Sequence, residues 1–140
     1  MIIKILKLAI IIFFIPNLLF ANTQYFQEGV NLYKKNKLNE AKFKFEQDIL
    51  FNPKNEFAYL YLSKIFKTLE KKQLEEQNLN TVILLNPKNE EAIYNLAKLK
   101  LESSDYKKSK ELNDRLNLLC ENFCNQSKKL KIEIENLSKK

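Results

Sequence analysis

Two apolar patterns divide the chain. Leu8–Ile15 is an unbroken apolar run. From Asn22 onward, apolar residues recur at three- and four-residue spacing, the mark of helices that bury one face each. Leu38, Ala41 and Phe45 keep this spacing, as do Leu130, Ile134 and Leu137 near the C-terminus. Taken together with the offset of a pentapeptide that occurs twice, the pattern predicts three units of paired helices, over residues 22–55, 56–89 and 90–121, each made of a first helix A and a second helix B. A further helix is predicted over 126–138, with Ser127 as its N-cap and Lys128, Lys129, Lys131, Glu133, Glu135 and Lys139 on its wet face. The fold class is therefore all-α, an α-solenoid with a C-terminal capping helix.

The same pentapeptide, Asn-Pro-Lys-Asn-Glu, stands at both Asn52–Glu56 and Asn86–Glu90. A fixed period of roughly 20–50 residues marks a stacked-repeat architecture, and the offset between the two copies falls inside that range. Local chemistry explains why this segment is used at two junctions. Asn52 and Asn86 are expected to close helix B in a left-handed conformation. Pro53 and Pro87 cannot continue it. Asn55 and Asn89 then cap the next helix, and Glu56 and Glu90 complement its positive end.

At this period the chain resembles the tetratricopeptide repeat (TPR) family. Gly29, Ser63 and Ala97 match the family's small residue in helix A, and Tyr25, Tyr59 and Ile93 its bulky residue near the helix start. Leu38, Ala41 and Phe45 match the helix B pattern in the first unit, and Pro53 and Pro87 the closing proline. The third unit gives Tyr106 and Ser109, then Asn113, with Leu112 beside it. The resemblance covers residues 22–121. The chain departs from it at Lys72 and Glu75, where a large and a small residue belong; a rotated helix that packs Leu74 would accommodate them. Asp48 occupies a site that is usually small and buried, and Glu121 replaces the third proline. The resemblance implies a concave groove lined by A helices that binds a segment of another protein. Its expected lining is Phe26, Val30 and Tyr33 from the first unit and Leu60, Tyr61, Lys64 and Lys67 from the second. Tyr94, Asn95, Lys98 and Leu101 follow from the third. Aromatic anchors with lysines would suit an acidic segment or a C-terminal carboxylate. The family's carboxylate-binding set is only partly matched by Lys64, Lys98 and Asn95, and Val30 departs from it.

Met1–Ala21 reads as a targeting segment. Met1–Lys7 carries two lysines and no acid, Leu8–Ile15 supplies the apolar stretch, and Ala21 is a small residue at the end, where cleavage is expected. The rival is an uncleaved anchor. Leu8–Ala21 would span only about 21 Å as a helix, short of a bilayer core of about 30 Å. Cleavage would remove Lys4 and Lys7 and so lower the formal charge from +7 to +5. The protein is then expected in the periplasm or secreted, with no membrane span after cleavage.

Charge and composition narrow the chemistry. Lysines and acids alternate rather than cluster, and Arg115 is the lone arginine, which argues against nucleic acid as a partner. One glycine excludes the glycine-rich phosphate loops. With no histidine, the commonest general base and metal ligand are missing. No cofactor, metal, small-molecule substrate or enzymatic activity is expected. Cys120 and Cys124 are the only cysteines. In an exported protein an even count favours a structural disulfide, here pinning the turn into the last helix. A redox-active pair and two reduced thiols are the alternatives. Three roles stay open at this point: a peptide-binding scaffold, a structural subunit of an envelope complex with its groove empty, and a thiol–disulfide participant.

Overall fold

The structure is a computed structural model that describes residues 16–139, with side chains described from residue 24. The described residues form seven α-helices and no strand. They are α1 (Pro16–Lys34), α2 (Leu38–Phe51), α3 (Glu56–Thr68), α4 (Lys72–Leu85), α5 (Glu90–Glu102), α6 (Tyr106–Leu119) and α7 (Cys124–Leu137). Helix starts repeat the period of the sequence. Leu38, Lys72 and Tyr106 open the B helices, and Glu56, Glu90 and Cys124 open α3, α5 and α7, each set keeping the offset of the pentapeptide. Of the expected targeting segment, residues 1–15 lie outside the described residues; Pro16–Ala21 form the start of α1. No helix among the described residues is long and apolar enough to cross a membrane. The chain divides into two compact units, residues 1–58 and 59–140.

In the first unit α1 packs on α2. Where the two helices meet, a ring is seated on a glycine. A Cβ added to Gly29 would lie 2.8 Å from Cε1 of Phe45, and Phe45 is fully buried. The Phe26 ring tilts against the same Phe45, with centroids 5.7 Å apart. At the far end of the helix pair Tyr25 stacks on Phe51, and Lys44 Nζ lies 2.6 Å from Glu28 Oε2. Asp48 is buried on α2. One of its oxygens accepts a hydrogen bond of 2.6 Å from Asn55 Nδ2, while Oδ1 has no hydrogen-bond partner. Burial pushes its pKa up, and the Asn55 bond only partly offsets this. The same Asn55 accepts from the N–H of Phe57 through Oδ1, so one amide both caps α3 and partners a buried acid.

The second unit buries one apolar cluster, in which Leu60, Leu79, Ile93, Leu116 and Leu130 come from five helices. Helix α5 packs on α4, α6 and α7, and α6 on α7. Small residues let α5 and α6 approach. Ser109 is fully buried, and its hydroxyl donates to the carbonyl of Ala97 at 2.8 Å. In α4, the rotation expected to bury Leu74 does not occur: Leu74 is exposed and Glu75 is buried. The register is kept because Leu79 and Val82 face the core, and turning the helix would have withdrawn both. Burial pushes the Glu75 pKa up, with Lys67 opposing and Glu102 adding to it. Asp48 and Glu75 thus share one sign: each raised pKa means that the charged form is destabilising, and its cost is felt in full above that pKa.

The turns correct one expectation and add a motif. Asn52 has φ −131° and Asn86 φ −135°, so neither is left-handed. Each instead begins a tight turn in which its carbonyl accepts from the N–H of Asn55 or Asn89, at 3.0 and 3.1 Å. The left-handed residues lie between helices A and B, at Asn36, Glu70 and Ser104, with φ of 57°, 55° and 62°. Each closes its A helix in the same way. The N–H of Asn36 bonds the carbonyl of Tyr33, and that of Lys37 the carbonyl of Leu32; Glu70 with Lys71, and Ser104 with Asp105, repeat the pair. This is the Schellman closure, which is usually built on glycine. The single glycine is committed to helix packing, so the turns do without it.

Two glycine exchanges should therefore act in opposite directions. Glu70→Gly should stabilise the protein by about 0.5–1 kcal/mol by relieving a left-handed non-glycine residue. Gly29→Ala gains about 1 kcal/mol of helix propensity but forces a methyl onto a buried ring, which costs about 1–3 kcal/mol. A net loss is expected, and thermal melts of the two variants check both signs.

Candidate functional site

Helices α3, α5 and α7 open one period apart and are tied by ion pairs. Lys64 of α3 lies 2.7 Å from Glu91 of α5, and Lys98 of α5 lies 3.2 Å from Glu133 of α7. These pairs, with the shared core, hold three helix faces together within the second unit. Tyr61 is half-buried beside Lys64, whose Nζ sits 5.1 Å from the ring centroid. Tyr94 packs against Phe123, with centroids 5.6 Å apart. Asn95 is half-buried next to it.

The expected lining residues separate into groups. Tyr61 and Lys64 of α3 and Tyr94, Asn95 and Lys98 of α5 are half-buried, and the Lys64–Glu91 pair ties their two helices. Leu60 and Leu101 are core residues, 5% and 4% exposed, and offer nothing to a partner; their positions turn inward to meet the neighbouring helices. Lys67 is exposed but borders a different feature, an open cleft lined with Glu70, Lys72, Glu75 and Glu102. Phe26, Val30 and Tyr33 are half-buried on α1 in the first unit, where Phe26 also packs on Phe45.

Sequence reasoning missed Ile132, which is 60% exposed on α7. It stands one period after Lys98, continuing the series Val30, Lys64 and Lys98. The period itself holds this signal once it is carried into the last helix. The acidic partners Glu91 and Glu133 were missed as well, because side-chain reach between helices leaves no mark on spacing.

The last junction positions α7. Glu90 opens α5, yet its carboxylate is spent elsewhere. It accepts from the backbone N–H groups of Glu121 at 2.8 Å, Asn122 at 3.0 Å and Phe123 at 2.8 Å. Burial pushes the Glu90 pKa up, but the bonds from Glu121, Phe123 and Asn122 together outweigh it, and the pKa lies below the usual glutamate value. The other face of the repeated pentapeptide is held too: the Arg115 guanidinium donates to the carbonyl of Pro87. The lone arginine is therefore a structural clasp. Beside the loop, Cys120 and Cys124 have Cα atoms 5.2 Å apart and sulfurs within bonding distance. The expected start of the last helix shifts accordingly. α7 opens at Cys124, and Ser127 lies buried inside it rather than capping it. The Glu90 carboxylate, not a serine, satisfies the amides ahead of the helix.

No group of side chains that could hold a metal ion occurs among the described residues. A scan against protein-family models finds no match, and a search of curated proteins finds none. Solved structures do match in fold. The TPR2B domain of yeast Sti1 in complex with an Hsp70 peptide superposes with a TM-score of 0.76 at 14% identity, covering 83% of this chain and 97% of that one. The first TPR domain of Spaghetti (RPAP3) bound to the HSP90 peptide SRMEEVD gives 0.74 at 17% identity, over 84% and 93%. The Yersinia enterocolitica type III secretion chaperone SycD with a peptide of the translocator YopD gives 0.74 at 15%, over 84% and 94%. The fold is an all-α TPR-type helical repeat.

Replacing Glu90 tests the junction. Its depressed pKa contributes stability that is present above the unfolded-state pKa and lost as pH falls through the folded-state value. Glu90→Gln should lower stability at neutral pH by up to about 1 kcal/mol, the scale of charge-assisted hydrogen bonds after screening by solvent around a carboxylate near the surface. The gap from wild type should close under acid conditions, where both side chains are neutral. Denaturant melts across pH would show this convergence.

Proposed function

We propose that the protein is an exported, non-enzymatic module that binds a peptide segment of another protein on the face formed by α3, α5 and α7. The observation that carries this is the set of half-exposed side chains on that face. Tyr61, Tyr94 and Asn95 are half-buried and Ile132 is exposed, held on a rigid frame by inter-helix ion pairs and a common core. Rigid aromatics give contact area at low entropic cost. Structures of the same fold with peptides bound, those of Spaghetti, Sti1 and SycD, support the reading.

A second reading has its own observation. Leu84 and Leu118, one period apart at the ends of α4 and α6, are 80% and 86% exposed. Exposed leucines at equivalent positions favour a structural subunit whose B-helix ends are covered in a larger complex. A photocrosslinking residue placed at Asn95 or at Leu118 separates the two. Peptide binding predicts partner adducts from Asn95. Adducts from Leu118 alone would support the structural reading and remove the proposed one.

Export is supported by the apolar leader, and Cys120 and Cys124 fit an oxidising compartment. A disulfide across so short a loop contributes roughly 2 kcal/mol at most. The mass of the protein recovered from the envelope fraction should start at Asn22 and include no alkylatable thiol. An intact Met1 would contradict cleavage, and two alkylated cysteines would contradict the disulfide.

A further inference from the structure

We propose that the face formed by α3, α5 and α7 takes an uncharged, internal segment of its partner and discriminates against acidic tails and C-terminal carboxylates. This rests on the peptide-binding reading above and names the partner's chemistry. The chain is basic, at +7, and lysines on a binding face would ordinarily draw a carboxylate. Here both lysines on the face are already matched. Lys64 Nζ lies 2.7 Å from Glu91 Oε1 and also rests over the Tyr61 ring. Lys98 Nζ lies 3.2 Å from Glu133 Oε2. An incoming carboxylate that approached either lysine would also meet the glutamate paired with it, and that repulsion would offset much of the attraction.

The uncharged groups decide what fits. Ile132 is 60% exposed, and it occupies on α7 the position that lysine holds on α3 and α5. Tyr94, set against Phe123, offers an apolar ring. The amide of Asn95 both donates and accepts, which suits the backbone of an extended segment. Apolar side chains separated by backbone amides, with no chain end and no net charge, complement this surface. A free carboxylate would be desolvated against Glu91 and Glu133 without a cation of its own.

The test supplies its own probes. One is labelled SRMEEVD, the acidic peptide bound by the Spaghetti TPR domain. The other is its uncharged counterpart, labelled on its N-terminal amine, with Gln in place of the Arg and the two Glu, Asn in place of the Asp, and an amidated C-terminus. Fluorescence anisotropy at low salt is read for wild type and for the Glu91→Gln, Glu133→Gln double variant, with melting curves to show that the variant is folded. Wild type should bind the neutral peptide at least as tightly as the acidic one. Unmasking the lysines should raise affinity for SRMEEVD by about tenfold, and adding Lys64→Ala and Lys98→Ala should abolish that gain. The proposal is overturned if wild type prefers the acidic peptide by about tenfold or more, or if the double variant gains nothing. Because the probes are defined, the gain can be read whatever the Asn95 crosslinking returns, so the two proposals fail separately.

Discussion

The Glu90 carboxylate is the contact on which the second unit's architecture turns. A helix appended to a repeat array needs its incoming loop held in place, and the N–H groups of that loop need acceptors once it is covered. Neither Phe123 nor Ser127 caps α7 with its side chain. Glu90 reaches across from the start of α5 and accepts three backbone N–H groups of the approaching loop. The loop is thereby fixed against the helix that precedes it by one full repeat. α7 consequently starts one period after Glu90 and takes the place of a fourth A helix. Lys98 can then meet Glu133, and Ile132 arrives at the face that α3 and α5 already share.

Much of the fold was legible in the sequence because repeat proteins write their period twice, once in the apolar spacing and once in the junctions. Gly29, Ser63 and Ala97 are all buried in the structure, as a close approach of paired helices requires. What the sequence hid was the use of non-standard residues at standard sites. Glu75 is a poor match for a small buried site, and rotating the helix is the simplest remedy. The core position of Leu79 and Val82 weighed more, so the carboxyl was buried and its pKa rose. Asp48 is tolerated in a similar way, through one hydrogen bond from Asn55. The left-handed turn residues are hard to find because Asn36, Glu70 and Ser104 share no side-chain chemistry. Only their spacing connects them.

The candidate site was less legible, for a different reason. Register places a residue on a helix without saying whether a neighbour covers it. Leu60 and Leu101 are covered, and Lys67 belongs to another cleft. Lysines in a sequence look like available charge, but long side chains on adjacent helices find partners across the interface, and Lys64 and Lys98 do so. The polarity of a binding surface depends on such cross-helix pairs, whereas the fold depends on the apolar period that precedes them.

If α7 is a true member of the array, the amides of Glu121, Asn122 and Phe123 are held by Glu90 in the native state. Amide hydrogen exchange on the intact protein reads this directly. These three amides should exchange slowly, on the scale of the α5 core, and lose that protection in Glu90→Gln while α5 keeps its own. Exchange at the rate of an unstructured loop in the wild-type protein would contradict it, and would leave α7 as an appendage rather than the last helix of the face.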